Sequence, residues 1–203
     1  MKALFLKDIY MAKSYMRSIF VMAAVFLLAS VWAGDNVFMI VYPMVVACMI
    51  PTSLISYDEK FRWDKYCAVM PFTRAQMVSV KYLFALLSGL LFFVFTAIVQ
   101  GFRLLPENGE RYFSLLSMLL VIGLAGPALF LPIIFKLGSE KGRLAYYFEI
   151  GFICAVSLLL PYDRIMTAPV NAVPLPLLLV LVSIALFALS WLLSIQFYKK
   201  RSL

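Results

Sequence analysis

The sequence predicts an all-α integral membrane protein. It has six transmembrane helices, an amphipathic interfacial helix ahead of the first, and a polar helical insert between the second and third. Three observations carry that prediction. Of the 203 residues, 65% are hydrophobic, 16% aromatic and only 14% charged, more apolar surface than a soluble domain of this size can hide. The apolar residues come in continuous runs without strand-like alternation, which in lipid selects helices over a closed barrel. Finally, fifteen of the eighteen Lys and Arg residues fall in four segments that alternate with the runs, leaving only Arg103, Arg111 and Arg164 on the other side. By the positive-inside rule both termini and the insert are cytoplasmic, the span number is even, and the chain is a multi-pass component of the cell membrane. The net charge of +8 follows from the same bias, so nucleic acid is not the expected partner.

The chain reads as a single transmembrane domain over 1–203. Residues 1–17 begin it with a helix whose Phe5, Ile9, Ala12 and Met16 form an apolar stripe, with Lys7, Lys13, Ser14 and Arg17 mainly off it. Such a helix lies at the membrane interface with its bases near anionic head groups, or simply anchors the first span by charge. The alternation of charge and apolar residues through Arg17, with no small-residue cleavage site, does not fit a cleavable signal. The six runs are Ser18–Ala33, Val37–Ile55, Leu83–Phe102, Tyr112–Phe135, Leu144–Leu160 and Leu175–Phe197, each near the ~17–25 residues that cross a hydrocarbon core. Gly34, Asp35 and Asn36 make a tight turn between the first two. Pro127 and Pro132 predict a kink in the fourth. The fifth is the shortest and is interrupted by Glu149. Outside, Pro161–Pro174 carries three prolines and reads as a short re-entrant helix or a plain loop.

Little in the chain resembles catalytic machinery. The absence of histidine removes His-dependent hydrolases, HExxH metallopeptidases and His-ligated haem. Cys48, Cys67 and Cys154 lack metal-type spacing. No GxxxxGK[ST] loop or GxSxG elbow is present, so the chain itself does not hydrolyse ATP by the P-loop route. Glu149 is the candidate intramembrane polar site. It lies six residues past Arg143, ~9 Å along a helix, where it serves transport, reaches the interface, or pairs with Lys141, Arg143 or another cytoplasmic base. Ala85/Gly89, Ala97/Gly101 and Gly151/Ala155 are spaced for close helix approach, a spacing that chance also supplies in a chain rich in both. The many Phe and Met residues line an apolar path or fill the bundle and face lipid.

The insert, 56–82, is more specific. Ser56-x-x-Glu59 and Thr73-x-x-Gln76 each fit a capping box, and Pro71 separates them, so two helices are expected. The first runs from Tyr57 to about Val69. It turns Trp63, Tyr66, Cys67 and Met70 inward and Asp58, Arg62 and Lys65 outward, with Asp58 and Arg62 placed for an i, i+4 pair. Phe61 projects among those charges, suited to a partner's groove or lying on the surface unpartnered. The second starts at Thr73, carries Arg74 and Lys81, and runs directly into the third span.

Tyr57-Asp58-Glu59-Lys60, then Trp63, Asp64, Lys65-Tyr66, Pro71, Arg74, Val78 and Lys81-Tyr82 resemble the signature of ABC-2-type transporter permeases. The likeness is to the small six-span permeases of Gram-positive bacteria, including those that export phenol-soluble modulins. The motif covers about an eighth of the chain, and the six-span layout and basic N-terminal helix agree elsewhere. The outer segment before the sixth span is shorter than in larger relatives. The resemblance implies a permease subunit without enzymatic activity, whose insert is a coupling helix seated in a separately encoded ATPase. Asp58, Glu59, Lys60, Phe61, Arg62, Lys65 and Arg74 would form that interface. It implies two ATPases, a second permease copy, identical or not, and surrounding membrane lipid. ATP and Mg would be bound by the partner and no cofactor by this chain. The cargo would be an amphipathic or hydrophobic peptide, with lipids, drugs or haem-like molecules as the alternatives. An ion-coupled carrier and a non-transporting scaffold or immunity protein are the rival functions.

Overall fold

A computed structural model describes residues 2–15, 17–32, 37–63, 66–67, 72–104, 109–138, 151 and 174–200. Its elements are six helices: α1 (Lys2–Tyr15), α2 (Arg17–Trp32), α3 (Val37–Lys60), α4 (Arg74–Leu104), α5 (Gly109–Leu137) and α6 (Pro174–Lys200). No strand occurs among the described residues. The fold class is thus all-α, and four helices are long and apolar enough to cross a membrane: Met39–Lys60, Arg74–Phe102, Tyr112–Leu137 and Leu177–Lys200. These are the second, third, fourth and sixth expected runs. The first, α2, has 16 residues and a length of ~24 Å, short of a ~30 Å hydrocarbon core. It reaches membrane length only together with α1, from which it is bent by 68°. The expected fifth span and Glu149 lie outside the described residues, apart from Gly151, and so do Cys154 and the loop at 161–173.

The bundle is built around α3. In its membrane-length window 67% of residues are buried, against 22% for α6. One apolar cluster joins α1 through α5 around Met44, Ile50 and Leu54 of α3. A second joins α3 through α6 around Tyr82, Leu131 and Ile134. Helix association in lipid depends on close packing rather than on escape from water, and glycine provides it where α3 crosses α5. Gly123 is covered by the Met44 side chain, whose methyl occupies the space a Cβ would need. The expected small pair Ala97/Gly101 is likewise used. Tyr112 of α5 donates its hydroxyl to the Ala97 carbonyl at 3.1 Å and lies against Gly101. Pro127 and Pro132 sit inside α5, which remains one helix of 29 residues.

Two expectations about the insert are settled by backbone hydrogen bonds. At Thr73 the capping box forms in both directions. Thr73 N–H donates to Gln76 Oε1 at 3.1 Å, and Gln76 N–H donates to Thr73 Oγ1 at 3.3 Å. From there α4 continues for 31 residues, ~46 Å, so the second insert helix and the third span are one rod. At Ser56 no helix begins. Helix α3 runs through to Lys60, and the Ser56 hydroxyl is buried without a partner among the described residues. The chain upstream is already helical, so there is no free first-turn N–H for Ser56 to cap.

Helix α3 ends instead at Phe61 and Arg62. Phe61 N–H donates to Tyr57 O and Arg62 N–H to Glu59 O, both at 3.0 Å. Arg62 takes a left-handed φ of 52°, costing roughly 1–2 kcal/mol for a side chain with a Cβ. Helix α5 solves the same problem with Gly138, at φ 89°, the usual residue for this position.

Candidate functional site

The site lies at the end of the bundle where α3 stops and α4 begins, and four charged side chains organise it. Lys7 and Asp8 come from α1, Asp58 from the last turn of α3, and Lys81 from about two turns into α4. Helix α1 presents Leu4, Asp8 and Ala12 to the bundle, an i, i+4, i+8 stripe. The apolar stripe predicted at Phe5, Ile9, Ala12 and Met16 is therefore rotated. Ile9 is exposed and so are Leu6 and Tyr10, which leaves α1 with an apolar outer face as well as a buried inner one.

The four groups close a ring of alternating charge. Lys7 Nζ lies 2.6 Å from Asp58 Oδ1 and 3.1 Å from Asp8 Oδ1. Lys81 Nζ lies 2.6 Å from Asp58 Oδ2 and 2.9 Å from both oxygens of Asp8. Each lysine thus serves both carboxylates, and the ring carries no net charge. Asp8 is 1% exposed at its side chain and Lys81 8%. Lys7 also lies over the Trp63 ring, 4.7 Å from its centroid, a cation–π contact. Burying such groups costs about as much as their attraction returns, whereas deleting one of them strands its partners at roughly 3–5 kcal/mol. The ring therefore fixes which residues of α1, α3 and α4 meet more than it adds stability.

A cavity of ≈ 40 Å³ adjoins the ring, lined among others by Glu59, Trp63, Phe135 and Tyr198. That is room for a few waters and far too little for a peptide. Among the described residues no group of His, Cys, Asp or Glu has the arrangement to hold a metal.

The residues expected at a partner interface divide. Asp58, expected outside and paired with Arg62, is buried in the ring. Glu59 lines the cavity, while Lys60, Phe61 and Arg62 are exposed, Phe61 by 53%. Lys65 lies outside the described residues. Arg74 turns toward the far end of the chain and donates to the Lys199 carbonyl at 2.8 Å and the Tyr198 carbonyl at 3.4 Å. It thereby satisfies carbonyls that the last turn of α6 leaves open. Of the predicted inner face, Cys67 is fully buried beside Leu4 and Val80 and Trp63 is partly buried, but Tyr66 is 63% exposed. Met70 is outside the described residues.

Asp8 and Lys81 were not expected here. Asp8 is the lone acid in a basic helix, four residues from Leu4 and Ala12, and that spacing was the available signal. A third group lies just beyond the ring. The Tyr82 hydroxyl is 2.7 Å from both Ser190 Oγ and Ser194 Oγ of α6. Its ring stacks on Trp191 at 5.6 Å, and the Trp191 indole N–H donates to Ser79 Oγ at 3.1 Å. The first three turns of α4 are therefore fastened to α1, α3 and α6.

A family model described as ABC-2 family transporter protein matches residues 3–199. No curated protein and no solved structure matches the chain.

Proposed function

The chain belongs to the ABC-2 transporter family and is its membrane permease component; on that premise we propose that it forms half of the pathway of an ATP-driven exporter. A second permease copy completes the pathway. Two separate ATPase subunits bind ATP and Mg and dock on the insert from the cytoplasm. The observation that carries this reading is the division at the end of α3. Asp58 is locked inward, while one turn later Phe61 and Arg62 are held outward by the turn that closes the helix. An exposed aromatic beside a charge, on a braced turn, has the character of an interface anchor. The rod from Arg74 to Leu104 supports the same reading, since a push at its head is carried across the membrane without a joint.

The fifteen-to-three charge bias supports cytoplasmic termini and a cytoplasmic insert. The proposed cargo, amphipathic or hydrophobic peptides, rests on the resemblance to small peptide-exporting permeases. An ion-coupled carrier would want ionisable groups near mid-membrane. Among the described residues the buried charges all belong to the ring at one end of the bundle.

Phe61→Ala tests the docking. Insertion and expression should be unchanged, while recovery of the ATPase with the permease falls by a factor corresponding to about 1–3 kcal/mol. Arg62→Glu should weaken recovery in a salt-dependent way. Full recovery and full export in both variants would remove Phe61 and Arg62 from the interface.

A further inference from the structure

We propose that the Lys7–Asp8–Lys81–Asp58 ring is the joint through which movement of the docked insert reaches α1, making Asp8 and Lys81 positioning residues for transport and α1 a moving part. The inference rests on the docking reading above and adds a path to it. The turn carrying Phe61 and Arg62 is hydrogen-bonded to Tyr57 and Glu59, the two residues that flank Asp58. Displacement of that turn therefore acts within one helical turn of the Asp58 carboxylate. Asp58 is held by Lys81 of α4 and Lys7 of α1, and both lysines are held by Asp8. Apart from Asp8, α1 buries only Leu4 and Ala12 fully among its described side chains. Leu4 packs with Cys67 of the insert, and beside it two charged contacts leave α1, Lys7 to Asp58 and Asp8 to Lys81. The ring is thus the polar fastening of α1 to the insert, and unlike the apolar packing of Leu4 and Phe5 beside it it is short-ranged and directional. Because α4 is one rod from Arg74 to Leu104, α1 and the third span receive the same displacement from one point.

A ring differs from two independent pairs in what repairs it. The exchange Asp8→Lys with Lys81→Asp keeps one opposite pair at that edge. It also sets like charges at two other contacts, position 8 against Lys7 and position 81 against Asp58. Only the four-way reversal, Lys7→Asp, Asp8→Lys, Asp58→Lys and Lys81→Asp, restores alternation at every contact. If the contacts acted as separate pairs, the two-residue exchange would suffice.

The experiment uses the assembled permease–ATPase complex in lipid nanodiscs, with the native cysteines replaced. Spin labels stand at exposed Ser14 of α1 and exposed Phe113 of α5. Their separation is read without nucleotide and after trapping with ATP and vanadate. Export of a fluorescent amphipathic helical peptide is followed beside ATP hydrolysis. In the unaltered ring, trapping shifts the label distance. In the two-residue exchange the shift disappears and peptide export per ATP hydrolysed falls at least about tenfold, within the usual span of coupling between sites. In the four-way reversal both return. A shift that persists in the exchange, or that is absent from the unaltered protein, overturns the proposal. Should the exchange assemble poorly, melting in detergent decides instead. The ring requires the four-way reversal to melt above the exchange, and the opposite order overturns it. Phe61→Ala separates the premise from the inference. Normal ATPase recovery there refutes the docking site, whereas failure of the ring leaves the Phe61 dependence intact.

Discussion

Tyr82→Phe isolates one hydroxyl in the contact between α4 and α6. The phenol oxygen has one proton to give and lone pairs to accept with, so it donates to one of Ser190 and Ser194 and accepts from the other, both at 2.7 Å. Phenylalanine keeps the ring and its stack on Trp191, which the hydrogen bond to Ser79 holds in place independently. Side-chain hydrogen bonds between membrane helices average about 0.6 kcal/mol and reach about 1.7. Two of them give an expected loss of about 1 kcal/mol, with about 3 kcal/mol as the ceiling. The serines soften the loss, because each can turn its proton to the carbonyl four residues earlier in α6. Equilibrium unfolding in mixed micelles, with and without Ser190→Ala and Ser194→Ala, measures it. In the double-alanine background the Tyr82→Phe cost should fall to near zero, since the partners are gone. An equal cost in both backgrounds would refute the hydrogen-bonded account of this contact.

Other consequences are as specific. Thr73→Ala removes one arm of the capping box and should cost about 1 kcal/mol, visible as faster amide exchange confined to the first turn of α4. Arg62→Gly relieves the left-handed strain and should stabilise the end of α3 by about 1 kcal/mol, read as a higher melting temperature; the same variant should lose ATPase recovery, so stability and docking move in opposite directions. Gly123→Ala places a methyl where the Met44 side chain lies. It should destabilise by about 1–2 kcal/mol, and less than additively with Met44→Ala, because truncation vacates that space.

The sequence made the long helices legible because lipid imposes length and apolarity together. Val37–Ile55, Leu83–Phe102, Tyr112–Phe135 and Leu175–Phe197 all lie within observed helices that extend a few residues further. What the pattern did not contain was the context of each cap. Ser56 and Thr73 carry the same spaced signal, yet only Thr73 caps a helix. Thr73 follows Pro71 and Phe72, outside regular helix at its own position, whereas Ser56 follows nineteen residues of α3 already wound. Asp8 escaped for a different reason. A stripe of Leu4, Asp8 and Ala12 looks less buried than one of Phe5, Ile9 and Ala12, unless the charge has a partner. That partner, Lys81, is 73 residues away, and Lys81 itself read as one more base on the cytoplasmic side. Pairing across such a distance belongs to tertiary structure and leaves no trace in local periodicity.

The placement of the ring also explains why this end of the bundle has charges inside it at all. An apolar contact among α1, α3 and α4 would hold as well, and by the general balance for buried ion pairs would hold better. It would also tolerate sliding, because leucines one turn apart are interchangeable as packing partners. Alternating charges admit one register. Asp8 must face Lys81 and Asp58 must face both lysines, and a shift of α1 by a single turn of ~5.4 Å would leave the Asp8 carboxylate against Leu4-side packing with its counter-charges out of reach. Leu4 and Ala12, with half-buried Phe5 and Met11 beside them, pack α1 on the bundle, and that charge restriction is what gives the packed helix one defined register. A defined position is what any repeated mechanical displacement of the insert needs at its far end.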